Sequence, residues 1–214
     1  MIKLIIFDYD GVIVDSFPTI HEVYKMTAEM LNKACPEDID EFRKVYGHTS
    51  RECYSNLGYS EEEKIKANLI FKEEVLKKEP KAFENIVEVI KTLHKNYKLA
   101  VASSTYKAEV EQKLEKLGIL EAFDFILARE NDNIGRFEKS ESIKKIVNAL
   151  AIEFNEALLI GDRMVDFVEG TEAGLKNILL VDYGWGYDIA EIPEYKQEIL
   201  VNNPVDILEA VKRF

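Results

Sequence analysis

Five short apolar runs punctuate this chain: Ile2–Phe7, Leu99–Ala102, Phe123–Ala128, Ala157–Ile160 and Asn177–Val181. Each is shorter than a typical helix and rich in Ile, Leu, Val or Phe, which predicts strands. They are apolar at successive rather than alternate positions, as in a parallel sheet covered on both faces. Between them the period changes. Phe83–Asn96 sets Ile86, Val89, Ile90 and Leu93 on one helical face. Helices are also predicted over Ala108–Leu117 (stopped by Gly118), Ser140–Leu150, Met164–Ala173 (before Gly174) and from Pro204 onward. Strands alternating with helices predict a doubly wound α/β fold with a mainly parallel, Rossmann-like sheet.

One segment breaks the alternation. Between Asp15 and Lys81 no strand is evident, while Pro18–Ala34 carries Ile20, Val23, Tyr24, Thr27 and Leu31 on one side. Ser60 followed three residues later by Glu63 is a capping box, which opens a helix through Ile65, Leu69 and Val75. The expected organisation is therefore a core of residues 1–14 and 82–214 with an all-helical insert at 15–81.

Composition narrows the function. The 214 residues are 47% hydrophobic, enough for a packed core, and carry a formal net charge of -12. That balance excludes bulk binding to nucleic acid and to anionic membranes, both of which need a dense basic surface. No apolar run approaches a membrane span or a signal-peptide core. Cys35 and Cys53 are the two cysteines, with no CxxC pattern, so neither a zinc site nor a disulfide framework is expected. The expectation is a cytoplasmic protein with reduced thiols, a monomer or small homo-oligomer.

The candidate chemistry lies where strands end. The first strand runs into Asp8-Tyr9-Asp10-Gly11 and the fourth into Gly161-Asp162-Arg163-Met164-Val165-Asp166. Ligands of open α/β sheets bind beyond the carboxyl ends of the strands. Taken singly, the first motif also reads as a solvated turn, and the second as acids decorating a helix start. Ser103-Ser104-Thr105 follows the second strand, as an anion cradle at a helix start or as plain N-caps. Lys139 precedes the helix before the fourth strand. Together these pieces make one site. Several carboxylates cannot crowd without compensation, and oxygen-only ligands favour magnesium over zinc. Lys139 and Ser103 would then hold phosphate oxygens, a phosphoryl-transfer arrangement.

These motifs, in this order, resemble those of the haloacid dehalogenase superfamily. Asp8-Tyr-Asp-Gly is similar to its first motif, Ser103 to the second, Lys139 to the third, and Gly161-Asp162-x-x-x-Asp166 to the fourth. The helical insert looks like the family's C1-type cap. The resemblance implies Asp8 as nucleophile forming an aspartyl-phosphate, and Asp10 as general acid and then base. It implies Mg2+ bound by Asp8, the carbonyl of Asp10 and Asp162, and Asp166 supporting Lys139. Ser103, with backbone N–H groups near Ser104, would grip the phosphoryl oxygens, and Gly11 would support the loop. Asp10 argues against dehalogenase chemistry. Tyr9 and the absence of Pro-Gly around Ala82–Asn85 depart from the common pattern, while Gly184-Trp-Gly-Tyr is similar to a loop of phosphoglycolate phosphatase-like members.

In the insert, the Tyr46–Arg51 stretch, with His48 and Arg51, is the candidate contact for an anionic substrate, or else an interhelical loop. The expected function is a magnesium-dependent phosphatase of a small phosphorylated metabolite. The alternatives are a β-phosphoglucomutase-like sugar-phosphate mutase and a non-catalytic metabolite-binding protein. The substrate stays open among phosphoglycolate, sugar phosphates, nucleoside monophosphates and pyrophosphate.

Overall fold

A computed structural model describes residues 1–47, 50–130, 137–185 and 201–214. They divide into two compact units, Met1–Asp15 with Ala82–Phe214, and Ser16–Lys81. The chain opens with strands β1 (Leu4–Phe7) and β2 (Val14–Asp15). Helices α1 (Phe17–Met30), α2 (Ile39–Val45), α3 (Ser50–Asn56) and α4 (Glu61–Val75) then make up the inserted unit. After β3 (Lys81–Ala82) come α5 (Ile86–Leu93), β4 (Lys98–Tyr106) and α6 (Lys107–Lys116). The rest is β5 (Phe125–Arg129), α7 (Lys139–Ala149), β6 (Ala157–Gly161), α8 (Met164–Glu172), β7 (Asn177–Leu180) and α9 (Ile207–Ala210).

The core unit is built on a five-stranded sheet in the order β5-β4-β1-β6-β7. All of its pairings are parallel, with Leu4–Phe7 opposite Lys98–Val101 on one side and Ala157–Ile160 on the other. The chain winds from β1 to β4 to β5 in one direction and then returns to β6 and β7. Ligands bind at such a reversal, outside the carboxyl ends of β1 and β6. Side-chain alternation along β1 feeds two apolar layers. Ile5 and Phe7 pack with Ile86, Val89, Ile90 and Leu93 of α5 and with Val110 and Leu114 of α6. Leu4 and Ile6 pack with Ile143, Ile146 and Val147 of α7. On that second face Gly170 lets α8 lie close to the sheet, since a Cβ there would come within 2.9 Å of Leu159 and Ile178 methyls.

The inserted unit has an aromatic interior. Tyr24 of α1 lies 4.8 Å from Tyr54, 4.9 Å from Phe71 and 5.2 Å from Phe42, ring centroid to centroid. His21 stacks on Phe42, and its Nε2 lies 2.7 Å from the Pro36 carbonyl. The α4 capping box forms. The Glu63 N–H donates to Ser60 Oγ, and the Ser60 N–H donates to Glu63 Oε2 at 2.8 Å.

Four features depart from the sequence reading. First, β4 does not end at Ala102. It continues through Ser103, Ser104 and Thr105 because parallel pairing with β5 extends it, so these hydroxyls lie on a strand rather than at a helix start. Second, Ile65 and Leu69 of α4 are exposed, and Lys64 and Ala67 are buried instead. Large rings from α1 and α3 fill the interior, so α4 contributes the small Ala67 and the ring of Phe71. Third, Arg51 lies on helix α3 rather than in a loop, while His48 falls outside the described residues. Fourth, the helix beginning at Pro204 is composite, with 3-10 turns at Pro204–Asp206 and Val211–Arg213 flanking a single α turn. Among the described residues no helix is long and apolar enough to cross a membrane.

Replacing Ser60 by alanine removes an N-cap acceptor and should lower the stability of the intact chain by about 1 kcal/mol in urea unfolding. An unchanged midpoint would show that the box does not hold α4.

Candidate active site

The backbone dictates where the acids converge. The Asp8 N–H donates to the Ile160 carbonyl at 2.9 Å, which continues the β1–β6 ladder by one residue beyond Phe7. Asp8 and Asp162 therefore emerge side by side from neighbouring strands. Asp162 is fully buried, and Asp8 is only 8% exposed. One carboxylate oxygen from each of Asp8, Asp162 and Asp166 lies within 4.8 Å of the others.

Lys139, the first residue of α7, enters this cluster from the side. Its Nζ donates to Asp8 Oδ2 at 2.7 Å and also bonds Asp166 Oδ1. The start of α7 is held as well, because the Ser140 N–H donates to Glu169 Oε2 on α8 at 3.1 Å. Asp166 is engaged at both oxygens. Its Oδ2 accepts the N–H groups of Asp162 and Arg163 at 3.1 and 3.0 Å. It therefore acts as a clamp that ties Lys139 to the loop after β6. The other Asp8 oxygen, Oδ1, accepts the Tyr9 N–H at 2.7 Å.

Asp162 differs. Its Oδ2 accepts the Trp185 N–H at 2.6 Å, but its buried Oδ1 has no hydrogen-bond partner among the described residues. An unpaired buried carboxylate oxygen carries a large desolvation cost. Glycines bring the backbone close around it. A Cβ on Gly11, whose φ is +78°, would fall 1.9 Å from Asp162 Oδ2, and one on Gly184 would fall 2.3 Å from the Gly11 carbonyl.

Electrostatics follow from this crowding. Burial first, and then Asp166 and Asp10, push the Asp8 carboxyl up to about 7 against the opposing pull of Lys139. Burial and the charges of Asp166 and Asp8 likewise raise Asp162 well above the usual carboxylate range. Burial works against the Lys139 ammonium, but Asp166 and Asp8 outweigh it and raise its pKa. Three buried carboxylates against one ammonium leave the cluster short of positive charge. The orphaned Asp162 oxygen, an oxygen-only donor set and this charge deficit all fit a hard divalent cation.

The remaining sequence candidates are placed as follows. Asp10 is half-buried, and its Oδ2 accepts the Thr105 hydroxyl at 2.5 Å. Ser103 is buried on β4, where its Oγ accepts the Thr105 N–H at 3.1 Å. Ser104 is exposed. Arg51, in the inserted unit, forms an exposed ion pair with Glu61. Sequence reasoning singled out neither Glu109 nor the Trp185 N–H. Glu109, on the first turn of α6, is pushed up to about 7 by burial and by the charge of Asp10. The Gly184-Trp185 loop carried a signal in its glycines, whereas Glu109 carried none, being one acid among many on a charged helix.

The haloacid dehalogenase-like hydrolase family model matches residues 5–180, a span that contains Asp8, Lys139, Asp162 and Asp166. The chain belongs to that family. It is 24% identical over 217 residues to a pyrophosphatase (PpaX) of Bacillus mycoides, covering 99% of this chain and 98% of the relative. It is 25% identical over 205 residues to a phosphoglycolate phosphatase of Psychrobacter arcticus, covering 89% and 88%. A haloacid dehalogenase-like hydrolase of Streptococcus pneumoniae has the same fold, with a TM-score of 0.86, 22% identity and 98% of each chain covered.

The raised pKa values of Asp8 and Asp162 mean that both bind protons more tightly in the folded protein than in the unfolded chain. Their contribution to stability is therefore present in acid and is lost as pH rises above the carboxylate range, through about 7 for Asp8. In chelator, Asp162→Asn should be more stable than wild type at pH 8, and the difference should shrink at pH 5. Thermal melts that show no such pH-dependent gap would contradict the buried-charge assignment.

Proposed function

We propose that this hydrolase is a magnesium-dependent phosphatase of small phosphomonoesters that works through an aspartyl-phosphate. The observation that carries the reading is the Asp8 carboxylate, held at the carboxyl end of the central strand by Lys139 Nζ and the Tyr9 N–H. Both contacts limit its rotation, and the ammonium offsets charge as a phosphoryl group approaches. In the first step an Asp8 oxygen bonds to phosphorus and the P–O bond to the leaving alcohol breaks. Asp10, two residues on, gives its proton to the departing oxygen. In the second step Asp10 takes a proton from water, whose oxygen attacks phosphorus and releases Asp8 and inorganic phosphate. Lys139 and Ser103 hold phosphoryl oxygens through both steps. Asp166, with both oxygens already engaged, orients Lys139.

The magnesium ligands in this reading are Asp8, the carbonyl of Asp10 and Asp162, whose unpaired oxygen suits the role. When bound, the ion neutralises the acid cluster and polarises the phosphate. The relatives' names point to a small, strongly anionic substrate, phosphoglycolate or pyrophosphate among them. The inserted helical unit, Ser16–Lys81, is the substrate-selecting cap in this reading. A cytoplasmic setting accords with the free thiols of Cys35 and Cys53.

The test is phosphate release across a panel of phosphorylated metabolites, with magnesium and with chelator. Turnover should need the metal, and Asp8→Asn should lower it at least about a thousandfold with the fold intact. Activity that survives chelation would sink the metal assignment, and an active Asp8→Asn would sink the nucleophile. Conversion of β-glucose 1-phosphate without phosphate release would replace hydrolysis by a mutase reaction.

A further inference from the structure

We propose that Thr105 is a positioning residue for Asp10, which it holds in the orientation needed to protonate the leaving group. The inference rests on the phosphatase reading, in which Asp10 is the general acid. The geometry lies entirely within the core unit. Pairing between β4 and β5 is regular up to Ser103 opposite Ala128, then shifts so that Tyr106 lies opposite Arg129. Ser104 and Thr105 are thus extra residues on β4, and such a bulge re-aims side chains near a site. The turn is fixed locally by the Thr105 N–H, which donates to Ser103 Oγ at 3.1 Å. This places the Thr105 hydroxyl beside the loop that follows the neighbouring β1, where it donates to Asp10 Oδ2 at 2.5 Å over a sequence separation of 95 residues.

A donor at that point is chemically useful. With Oδ2 occupied by a hydroxyl hydrogen, the transferable proton is carried by the other oxygen, Oδ1, in a defined direction. The hydrogen bond also offsets repulsion. Glu109 and Asp8 both feel the charge of Asp10, and the Glu109 carboxyl is raised by burial and by that charge. Thr105 needs no contact with substrate to act in this way.

General acid catalysis matters most when the leaving oxygen is a poor leaving group. The test therefore compares kcat/KM for glycerol 2-phosphate, whose alkoxide needs a proton, with that for p-nitrophenyl phosphate, whose phenolate leaves without one. This ratio reports the first phosphoryl transfer. Thr105→Val removes the donor and keeps a β-branched residue suited to a strand. The loss should be about tenfold greater for glycerol 2-phosphate than for p-nitrophenyl phosphate, the size of one charge-assisted hydrogen bond. Thr105→Ser should restore the ratio to within about twofold, since it returns the hydroxyl. If the valine variant does not fold, Thr105→Ala should show the same selective loss. Equal losses on both esters, or no rescue by serine, would overturn the assignment of Thr105 alone. A wild type inert toward both esters and toward the metabolite panel would overturn the phosphatase reading, and the role of Thr105 with it.

Discussion

The ammonium of Lys139, set between Asp8 and Asp166, is the contact on which the rest of the site depends. Three carboxylates converge in a buried crevice, and burying an unpaired charge costs several kcal/mol. One lysine cannot neutralise all three, but it ties two of them to fixed positions. Asp166 passes the constraint on, because its second oxygen holds the N–H groups of Asp162 and Arg163. The clamp on the lysine is therefore also the clamp on the loop after β6. Asp162 is the least compensated of the three, because its Oδ1 lacks a partner among the described residues. A bare oxygen in an oxygen-only donor set suits a hard divalent cation.

The sheet explains why these groups meet. Winding reverses at β1, so the crevice between β1 and β6 opens at its carboxyl end, and no helix needs to cross it. β1 is buried on both faces and paired on both sides, and Asp8 continues it by one residue. Asp10 lies in the loop before β2, where its side chain accepts the Thr105 hydroxyl from β4. Asp8 is thus placed by the sheet itself, while Asp10 is bonded to the sheet through a side chain.

The inserted unit follows different physics. Its interior is aromatic rather than aliphatic, with Tyr24, Phe42, Tyr54 and Phe71 in ring contact. Large rings let a short run of small helices fill its centre. They also explain why the periodicity of α4 misleads: Ile65 and Leu69 have helical spacing, but rings supplied from α1 and α3 already occupy the interior. Hydrophobic spacing identifies a helix face, and the neighbours' volumes decide whether that face is the one buried.

The five core strands, the helices between them and the acids at strand ends were legible in the sequence because each depends on local pattern. Continuous apolar runs require burial on both faces, and Asp-x-Asp-Gly after such a run lands at a strand's carboxyl end. The third-motif lysine and the acids of the fourth motif were legible through a family resemblance. Other features were not legible from any local pattern. Nothing near Ser103 shows that β4 continues past Ala102, because the extension comes from pairing with β5. Nothing near Thr105 points to Asp10, 95 residues away, and nothing about Glu109 separates it from its neighbours on α6. The sequence by itself determined which residue types stand at the ends of which strands. The tertiary structure alone decided which of their oxygens are paired and which is left bare, because hydrogen bonds between distant segments depend on strand order and register rather than on spacing along the chain.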